Sequence, residues 1–333
     1  MHTFIQHLTH LALCVLLAAL LTACESVSLA PFPTPTQVII VVTAEPSATP
    51  TATLPPTATP TSQPSPTPLA TPTPTLVPCV AEGGQVFAFN DFRSALARET
   101  IRYRVYIPPC YVESQKRYPL VILLPGLGET DTQWEDLGAA ELLNAGIRQG
   151  SLPPMIVVMP ELGDIGVANT FAPSPSYEAV IVDELLPMIE RDFCTIQDRG
   201  FRAIGGISRG GFWAYSIALR HADTFSIVGG HSAFFDARNA PPDFNPLDLA
   251  LNSDALTSAG LRMYLDNAAI DFVGANQQLF SSRLSARGIP HQYIINPTGD
   301  HNNDYWRSHT AEYLAFYGRD FPRDASALPG CAA

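Results

Sequence analysis

The sequence has little charge and almost no lysine. Only 15% of the 333 residues are charged, the formal net charge is −12, and Lys116 is the single lysine. A protein that binds nucleic acid needs clustered Lys and Arg side chains to neutralise phosphates. No such cluster occurs here, so we expect no nucleic-acid partner.

Long apolar runs are equally scarce, and the only one, Leu11 to Leu21, lies at the N-terminus. A run of that length is too short to span a bilayer but suits the core of an export signal. It leads into Leu21-Thr22-Ala23-Cys24, which resembles a bacterial lipobox. Residues 1–24 therefore predict a signal peptide, with Cys24 as the lipidated residue that holds the protein on the extracytoplasmic face of the cell membrane. A secretory signal that is simply cleaved is the alternative, because the first ten residues contain no Lys or Arg.

Residues 25–78 are rich in proline and threonine. They contain 14 of the 31 prolines, and only Glu25 and Glu45 are charged. Such a segment cannot bury enough apolar surface to fold, and repeated proline favours the extended polyproline II conformation. We expect a disordered linker. Its apolar run, Val38 to Val42, is short and flanked by proline-rich sequence, so we expect it to be unstructured rather than a strand.

Residues 79–333 are long enough for one α/β domain. Two β-rich segments, Gln85–Phe92 and Ile101–Pro108, predict an N-terminal hairpin. Continuous apolar runs, which are typical of buried parallel strands, then alternate with helix-length segments. The predicted strands are Leu120–Leu124, Met155–Met159, Ala203–Ile207, Ser226–Gly230, Leu261–Leu265 and His291–Ile295. The predicted helices are Asp136–Arg148, Tyr177–Arg191, Gly211–His221, Ala275–Ala286 and Asp304–Tyr317. This pattern predicts a mostly parallel central sheet with helices on both faces.

Four cysteines lie in this domain: Cys79, Cys110, Cys194 and Cys331. Four cysteines allow three pairings, and export favours disulfides over free thiols. In the predicted hairpin Cys79 and Cys110 lie side by side at the open end. We therefore prefer Cys79–Cys110, which leaves Cys194–Cys331. Free buried thiols are the alternative.

The segment Gly206-Ile207-Ser208-Arg209-Gly210 matches the pattern G-x-S-x-G. A strand precedes it and an amphipathic helix follows, which is the context of a nucleophile elbow, where a sharp turn exposes the serine hydroxyl. The alternative is a glycine-rich junction in which Ser208 only caps the helix. The context favours Ser208 as a nucleophile.

An activated serine needs a base, and the base needs a carboxylate that orients it. In proteins with a G-x-S-x-G nucleophile elbow, the serine comes first along the chain, the acid second and the histidine third. His301 follows the last strand, in a loop, and is the predicted base. Asp271 and Asp266 both follow the strand Leu261–Leu265, and we prefer Asp271. We expect His231 to line the site without titrating.

A tetrahedral oxyanion needs two N–H donors held in place. The backbone amide of Arg209, immediately after the nucleophile, is one candidate. The loop that follows Leu120–Leu124 contains Gly126-Leu127-Gly128, where glycine lets the backbone approach. We predict the Leu127 amide as the second donor.

Several further motifs occur in a fixed order along the chain: Tyr106–Pro109, Leu123–Gly128, Trp134, Gly205–Gly211, Gly229–Ser232, Gly299–His301 and Tyr305–Trp306. Their order resembles that of a family of α/β-hydrolase esterases. This family includes S-formylglutathione hydrolases, feruloyl and acetylxylan-type esterases, enterochelin esterases and mycolyltransferases. The resemblance implies an α/β-hydrolase fold across residues 79–333 and a triad of Ser208, Asp271 and His301. Pro125 is a departure, since relatives often have histidine before the loop glycine.

These observations predict an exported serine esterase, tethered to the membrane by its lipid anchor alone, that acts on a small-molecule or carbohydrate-linked ester through an acyl-enzyme on Ser208. No metal or organic cofactor is implied. One alternative is an acyltransferase of the mycolyltransferase type that uses the same triad. Another is a cell-surface binding module on a non-catalytic hydrolase scaffold. Neither the acyl group, the alcohol nor the oligomeric state can be read from the sequence.

Overall fold

A single nine-stranded sheet organises the chain. The computed structural model describes residues 38–42 and 78–331, which all belong to one compact unit, Gln37–Ala333. The strands are β1 (Val38–Val42), β2 (Gln85–Ser94), β3 (Glu99–Ile107), β4 (Leu120–Leu124), β5 (Ile156–Pro160), β6 (Arg202–Ile207), β7 (Ile227–His231), β8 (Arg262–Ala268) and β9 (His291–Asn296). They pair in the order β1-β9-β8-β7-β6-β4-β5-β3-β2. The six strands β4 to β9 are parallel to one another, whereas β1, β2 and β3 pair antiparallel.

Helices cover both faces of the sheet. They are α1 (Pro78–Glu82), α2 (Tyr111–Ser114), α3 (Gln133–Asp136), α4 (Ala139–Gln149), α5 (Gly163–Ala168), α6 (Tyr177–Ala179), α7 (Leu186–Asp192), α8 (Arg209–Arg220), α9 (Pro246–Asn252), α10 (Gly274–Ala286) and α11 (Asn303–Gly318). A π-helical segment, Val180–Leu185, joins α6 to α7. Within the described part of the chain, no helix combines the length and the apolar character that crossing a bilayer requires.

Two apolar cores lie on opposite faces of the sheet, and β4 shows how the sequence fills both. Every residue of β4 is buried. Leu120, Ile122 and Leu124 point into the core beneath α8 and α10, while Val121 and Leu123 point into the core beneath α4 and α11. Successive side chains of a strand face opposite sides. A strand covered on both faces is therefore apolar throughout, and each such side chain contributes about 1.5–3 kcal/mol through burial.

The N-terminal hairpin and both disulfides agree with the predicted arrangement. β2 pairs with β3 from Gln85↔Ile107 to Ser94↔Glu99. Cys79 is bonded to Cys110 with a Cα–Cα distance of 5.1 Å, and Cys194 is bonded to Cys331 at 5.7 Å. The second bond fastens the end of the described chain to the segment after α7, where it closes a loop of 137 residues. Closing loops of this size restricts the unfolded chain and contributes roughly 5 kcal/mol to stability.

The run Val38–Val42 corrects one expectation. It is not unstructured but forms the edge strand β1, antiparallel to β9 with Val38 opposite Ile295 and Val42 opposite His291. Five β-branched residues suit an extended backbone, and β9 offers an open edge with which they pair. The predicted signal peptide, Cys24 and the rest of the predicted linker up to residue 77 lie outside the described residues.

Most predicted helices and strands are confirmed within a few residues, and the departures have local causes. The predicted helix Asp136–Arg148 corresponds to α4, which begins only at Ala139 because Gly138, with a φ of +87°, separates it from α3. The short helices α5 and α9 were not predicted, since six or seven residues show too little of the helical period to be recognised.

Candidate active site

Ser208 lies on a sharp turn between β6 and α8. Its φ of 51° and ψ of −112° are rare for a residue with a side chain. A Cβ on Gly206 would lie 2.3 Å from the carbonyl carbon of Gly210, and a Cβ on Gly210 would lie 2.4 Å from the carbonyl oxygen of Leu124. Both glycines are therefore required by close backbone approach, which is the geometry expected of the predicted elbow.

His301 and Asp271 lie beside this serine. The imidazole Nε2 of His301 is 2.9 Å from Ser208 Oγ, and its Nδ1 is 3.0 and 3.2 Å from the carboxylate oxygens of Asp271. Asp271 comes from the loop between β8 and α10, and His301 from the loop between β9 and α11. The carboxyl ends of parallel strands meet at one edge of the sheet, so residues 93 and 30 positions apart in sequence are in contact. The structure thus brings together all three residues predicted for the triad.

The environment of Asp271 favours its charged form. Its side chain is fully buried, and it accepts a hydrogen bond from the Val273 amide at 3.1 Å. Burial raises the pKa of the Asp271 carboxyl, but the hydrogen bonds it receives, from His301 above all, outweigh burial and hold the pKa below its ordinary value. Asp271 is therefore a carboxylate at neutral pH. A carboxylate at this position is placed to accept a hydrogen bond from His301 Nδ1, which is the arrangement in which Nε2 can serve as an acceptor.

Asp266, the alternative acid, belongs to a separate buried network. Its carboxylate accepts hydrogen bonds from Tyr305 at 2.6 Å, from Tyr313 at 2.8 Å and from His231 Nδ1 at 2.8 Å. The other nitrogen of His231 lies 2.8 Å from the Tyr317 hydroxyl. Burial lowers the pKa of His231 more than Asp266 raises it, so the imidazole is neutral. His231 is fully buried and does not line the site, which corrects that expectation.

The oxyanion loop is held by a residue that the sequence did not reveal. Gln133 accepts a hydrogen bond from the Gly126 amide at 2.8 Å and donates one to Asn303 at 2.9 Å. The next amide, that of Leu127, has no acceptor among the described residues. Leu127 and the elbow serine both line the catalytic cleft, which is consistent with the predicted donor pair of Leu127 and Arg209.

Gln133 supports the loop that begins at Pro125. It is a buried glutamine from α3 that bonds to the loop backbone at Gly126. Its side chain is 1% exposed and links the loop to the first turn of α11 through Asn303. No spacing rule connects Gln133 to Gly126, so only the folded chain shows the contact.

The site opens into a cleft of about 320 Å³. It is lined by Gly126, Leu127, Glu129, Ser208, His301, Asn302, Asn303 and Trp306. The Trp306 ring lies 5.1 Å from the His301 ring and donates its N–H to Ser232 Oγ at 3.0 Å. A larger cavity of about 510 Å³ contains none of the triad residues, so we place the candidate site at the smaller cleft.

The aromatic residues near the sheet edge differ in their surroundings. Trp134, Trp213, Phe235 and Tyr305 are buried packing residues. Trp306 lies at the cleft. Among residues 38–42 and 78–331, no group of three or more His, Cys, Asp or Glu side chains is arranged to hold a metal ion.

Known proteins resemble part of this chain. An endo-1,4-beta-xylanase/feruloyl esterase of Xylanibacter ruminicola is 35% identical over 137 residues, 38% of this chain and 18% of that protein. An esterase of Mycobacterium tuberculosis is 32% identical over 133 residues, 38% of this chain and 28% of that protein. These matches therefore span less than a third of either relative.

The solved structures extend the likeness to most of the domain. A ferulic acid esterase superposes with a TM-score of 0.64 at 25% identity, covering 72% of this chain and 98% of its own. The sequence model of the family described as "Putative esterase" matches residues 94–317, which include the elbow, the acid loop and the histidine loop. Because this match spans most of the chain and agrees with the observed sheet and elbow, the chain belongs to this esterase family of α/β-hydrolases.

Proposed function

We propose that this protein is a serine carboxylic-ester hydrolase that acts through an acyl-enzyme on Ser208. The continuous hydrogen-bonded chain from Asp271 through His301 to Ser208 carries the proposal. Ser208, at the end of this hydrogen-bonded chain, lines a cleft that Leu127 also lines. The names of the relatives, which include feruloyl esterases, support the same class of reaction.

In the first half of the reaction Ser208 Oγ attacks the ester carbonyl. His301 Nε2 takes the serine proton as the new C–O bond forms, and the Leu127 and Arg209 amides donate hydrogen bonds to the oxyanion. The collapsing intermediate expels the alcohol, which receives its proton from His301. Asp271 stabilises the imidazolium that exists between these two proton transfers.

The second half releases the acyl group. Water enters the cleft, loses a proton to His301 and attacks the acyl carbonyl, and Ser208 recovers its proton as the carboxylic acid leaves. A carbohydrate hydroxyl in place of water would give the acyltransferase reaction. The intact triad geometry argues against a non-catalytic binding module.

Product analysis with a panel of esters tests this proposal. We expect the full chain to hydrolyse acetyl, feruloyl or short-chain acyl esters or thioesters, with the free acid as the main product whether or not a sugar acceptor is added. Chromatography of the products at equal conversion is the measurement. A transfer product that persists with the acceptor would favour the acyltransferase, and no turnover across the panel would contradict the esterase.

We also propose that the protein is exported and anchored to the membrane through Cys24. The apolar run before Cys24 and two disulfides in the described domain support export, because such bonds persist in oxidising compartments. In a bacterial host, the full chain should fractionate with membranes and Cys24→Ser should move to the soluble exported fraction. Equal membrane content for both chains would refute the anchor.

A further inference from the structure

Arg209 has an unusual environment for a charged side chain. It is the first residue of α8 and directly follows the nucleophile. Its guanidinium carbon lies 5.7 Å from the centre of the Phe234 ring and 5.9 Å from that of Phe212. The Nε and Nη1 atoms are buried, and no acceptor within residues 38–42 and 78–331 bonds to them. The side chain therefore has two desolvated donors that lack a partner.

Other partly buried arginines in the described chain have acceptors, which are backbone carbonyls for Arg199 and Arg287 and carboxylates for two others. Arg202 contacts Glu190 at 2.6 Å, and Arg220 contacts Glu178 at 3.0 Å. Burial lowers the pKa of Arg209, with no opposing carboxylate to raise it. Leaving a buried donor unpaired costs about 1–3 kcal/mol, and more when the group is charged. The two aromatic faces offset only part of this cost, since a cation over a ring contributes about 0.5–2 kcal/mol.

An aromatic strip connects Arg209 to the catalytic groups. The Phe234 amide donates a hydrogen bond to the carbonyl oxygen of Ser208 at 2.9 Å. The ring of Phe234 lies 6.0 Å from that of Phe272, which in turn lies 4.5 Å from the His301 ring. Phe272 is 65% exposed. A substrate that covers this strip while its carbonyl meets Ser208 extends toward the guanidinium.

We propose that the Arg209 side chain binds a carboxylate on the substrate, so that the preferred esters carry an anionic group near the scissile bond. A carboxylate can supply an acceptor to one of the two buried nitrogens, Nε or Nη1. The guanidinium binds both oxygens of a carboxylate along an edge that pairs Nη2 with either of these nitrogens. This inference rests on the proposed function and specifies its substrate class. Arg209 thus contributes its amide to the oxyanion and its side chain to specificity.

Matched pairs of esters test the proposal, one for each side of the scissile bond. On the acyl side, p-nitrophenyl hemiglutarate is compared with p-nitrophenyl pentanoate. On the alcohol side, 4-acetoxybenzoate is compared with its methyl ester. We expect Arg209→Met to lower the ratio of kcat/KM for the anionic ester to kcat/KM for the neutral ester about tenfold or more in at least one pair, since a charge-assisted hydrogen bond contributes roughly 1.5–3 kcal/mol. Arg209→Lys should retain part of the ratio.

Arg307→Met is the matched control, because Arg307 is an exposed cation on α11 whose removal tests long-range electrostatics. Its ratios should equal those of the unmodified chain. If Arg209→Met lowered kcat/KM equally for the two esters of each pair, the ratios would not change and the role of Arg209 would be purely structural. If the substitution left all kcat/KM values unchanged, Arg209 would have no role in specificity. Either result would overturn the proposal.

A binding measurement separates this proposal from the proposed function. Calorimetry with 4-acetoxybenzoate and with glutarate on Ser208→Ala, with and without Arg209→Met, needs no turnover. We expect the second substitution to weaken binding of at least one anion about tenfold. If each anion bound equally well to Ser208→Ala with and without Arg209→Met, the Arg209 site would be refuted, even if Ser208 proves to be the nucleophile. Ester hydrolysis that persists in Ser208→Ala would instead refute the proposed function.

Discussion

Replacing Ser208 with alanine should lower kcat for p-nitrophenyl acetate by about 10⁴–10⁶-fold, the range that loss of a triad nucleophile produces. The substitution removes the oxygen that forms the acyl-enzyme, while His301, Asp271 and the amide donors stay in place. His301→Ala should cause a loss of similar size, because the serine hydroxyl, 2.9 Å from the imidazole, would have no base. Initial rates under saturating ester are the measurement.

Two controls make this result specific to the site. Ser282→Ala removes an exposed serine hydroxyl on α10 that bonds only to the Gln278 carbonyl, and it should leave kcat unchanged. Circular dichroism should show that Ser208→Ala folds like the unmodified chain. Because the strained backbone of Ser208 suits alanine no better than serine, we expect no gain in stability. A variant that folds and keeps more than a tenth of the activity would mean that another residue is the nucleophile.

Asp271→Asn should lower kcat by about 10⁴-fold, as loss of the orienting carboxylate does in serine hydrolases. Asparagine would present an amide to His301 Nδ1 and favour the tautomer in which Nε2 carries the proton. That tautomer cannot accept the proton of Ser208. The KM should change much less than kcat, because the side chain of Asp271 is fully buried behind His301 and does not reach the cleft.

Asp266→Asn is the matched comparison, since Asp266 is the other candidate acid, lies within β8 and also contacts a histidine. It should keep activity per folded molecule within about tenfold and should instead lower the free energy of unfolding by about 2–4 kcal/mol, because the buried donors of Tyr305, Tyr313 and His231 lose a charged acceptor. Chemical denaturation and kcat are measured on both variants. If Asp266→Asn caused the larger catalytic loss, the acid assignment would be reversed.

Local sequence patterns predict those parts of this protein that depend on near neighbours. β4 is buried on both faces, so its five residues are all apolar and identify it as an interior strand. Gly206 and Gly210 flank Ser208 because the backbone around the turn leaves no room for a Cβ. The hairpin register places Cys79 and Cys110 together, which makes one disulfide predictable.

Contacts between distant segments follow no such pattern. Nothing near Gln133 indicates that it holds the Gly126 amide. The end of β7 suggested that His231 lines the site, but α11 covers the residue and Tyr313 stacks on its ring at 3.5 Å. The strand formed by Val38–Val42 depends on the open edge of β9, about 250 residues away along the chain.

The sequence by itself predicted the parallel strands, the elbow, and Ser208 and His301 as its candidate nucleophile and base, because each depends on spacing along the chain. Only the tertiary structure decided which of the two candidate aspartates contacts His301, what supports the loop of Gly126 and which arginine has buried donors without a partner. Each of these contacts joins side chains that are far apart in the sequence. Packing between distant segments sets how close such side chains lie and how deeply they are buried.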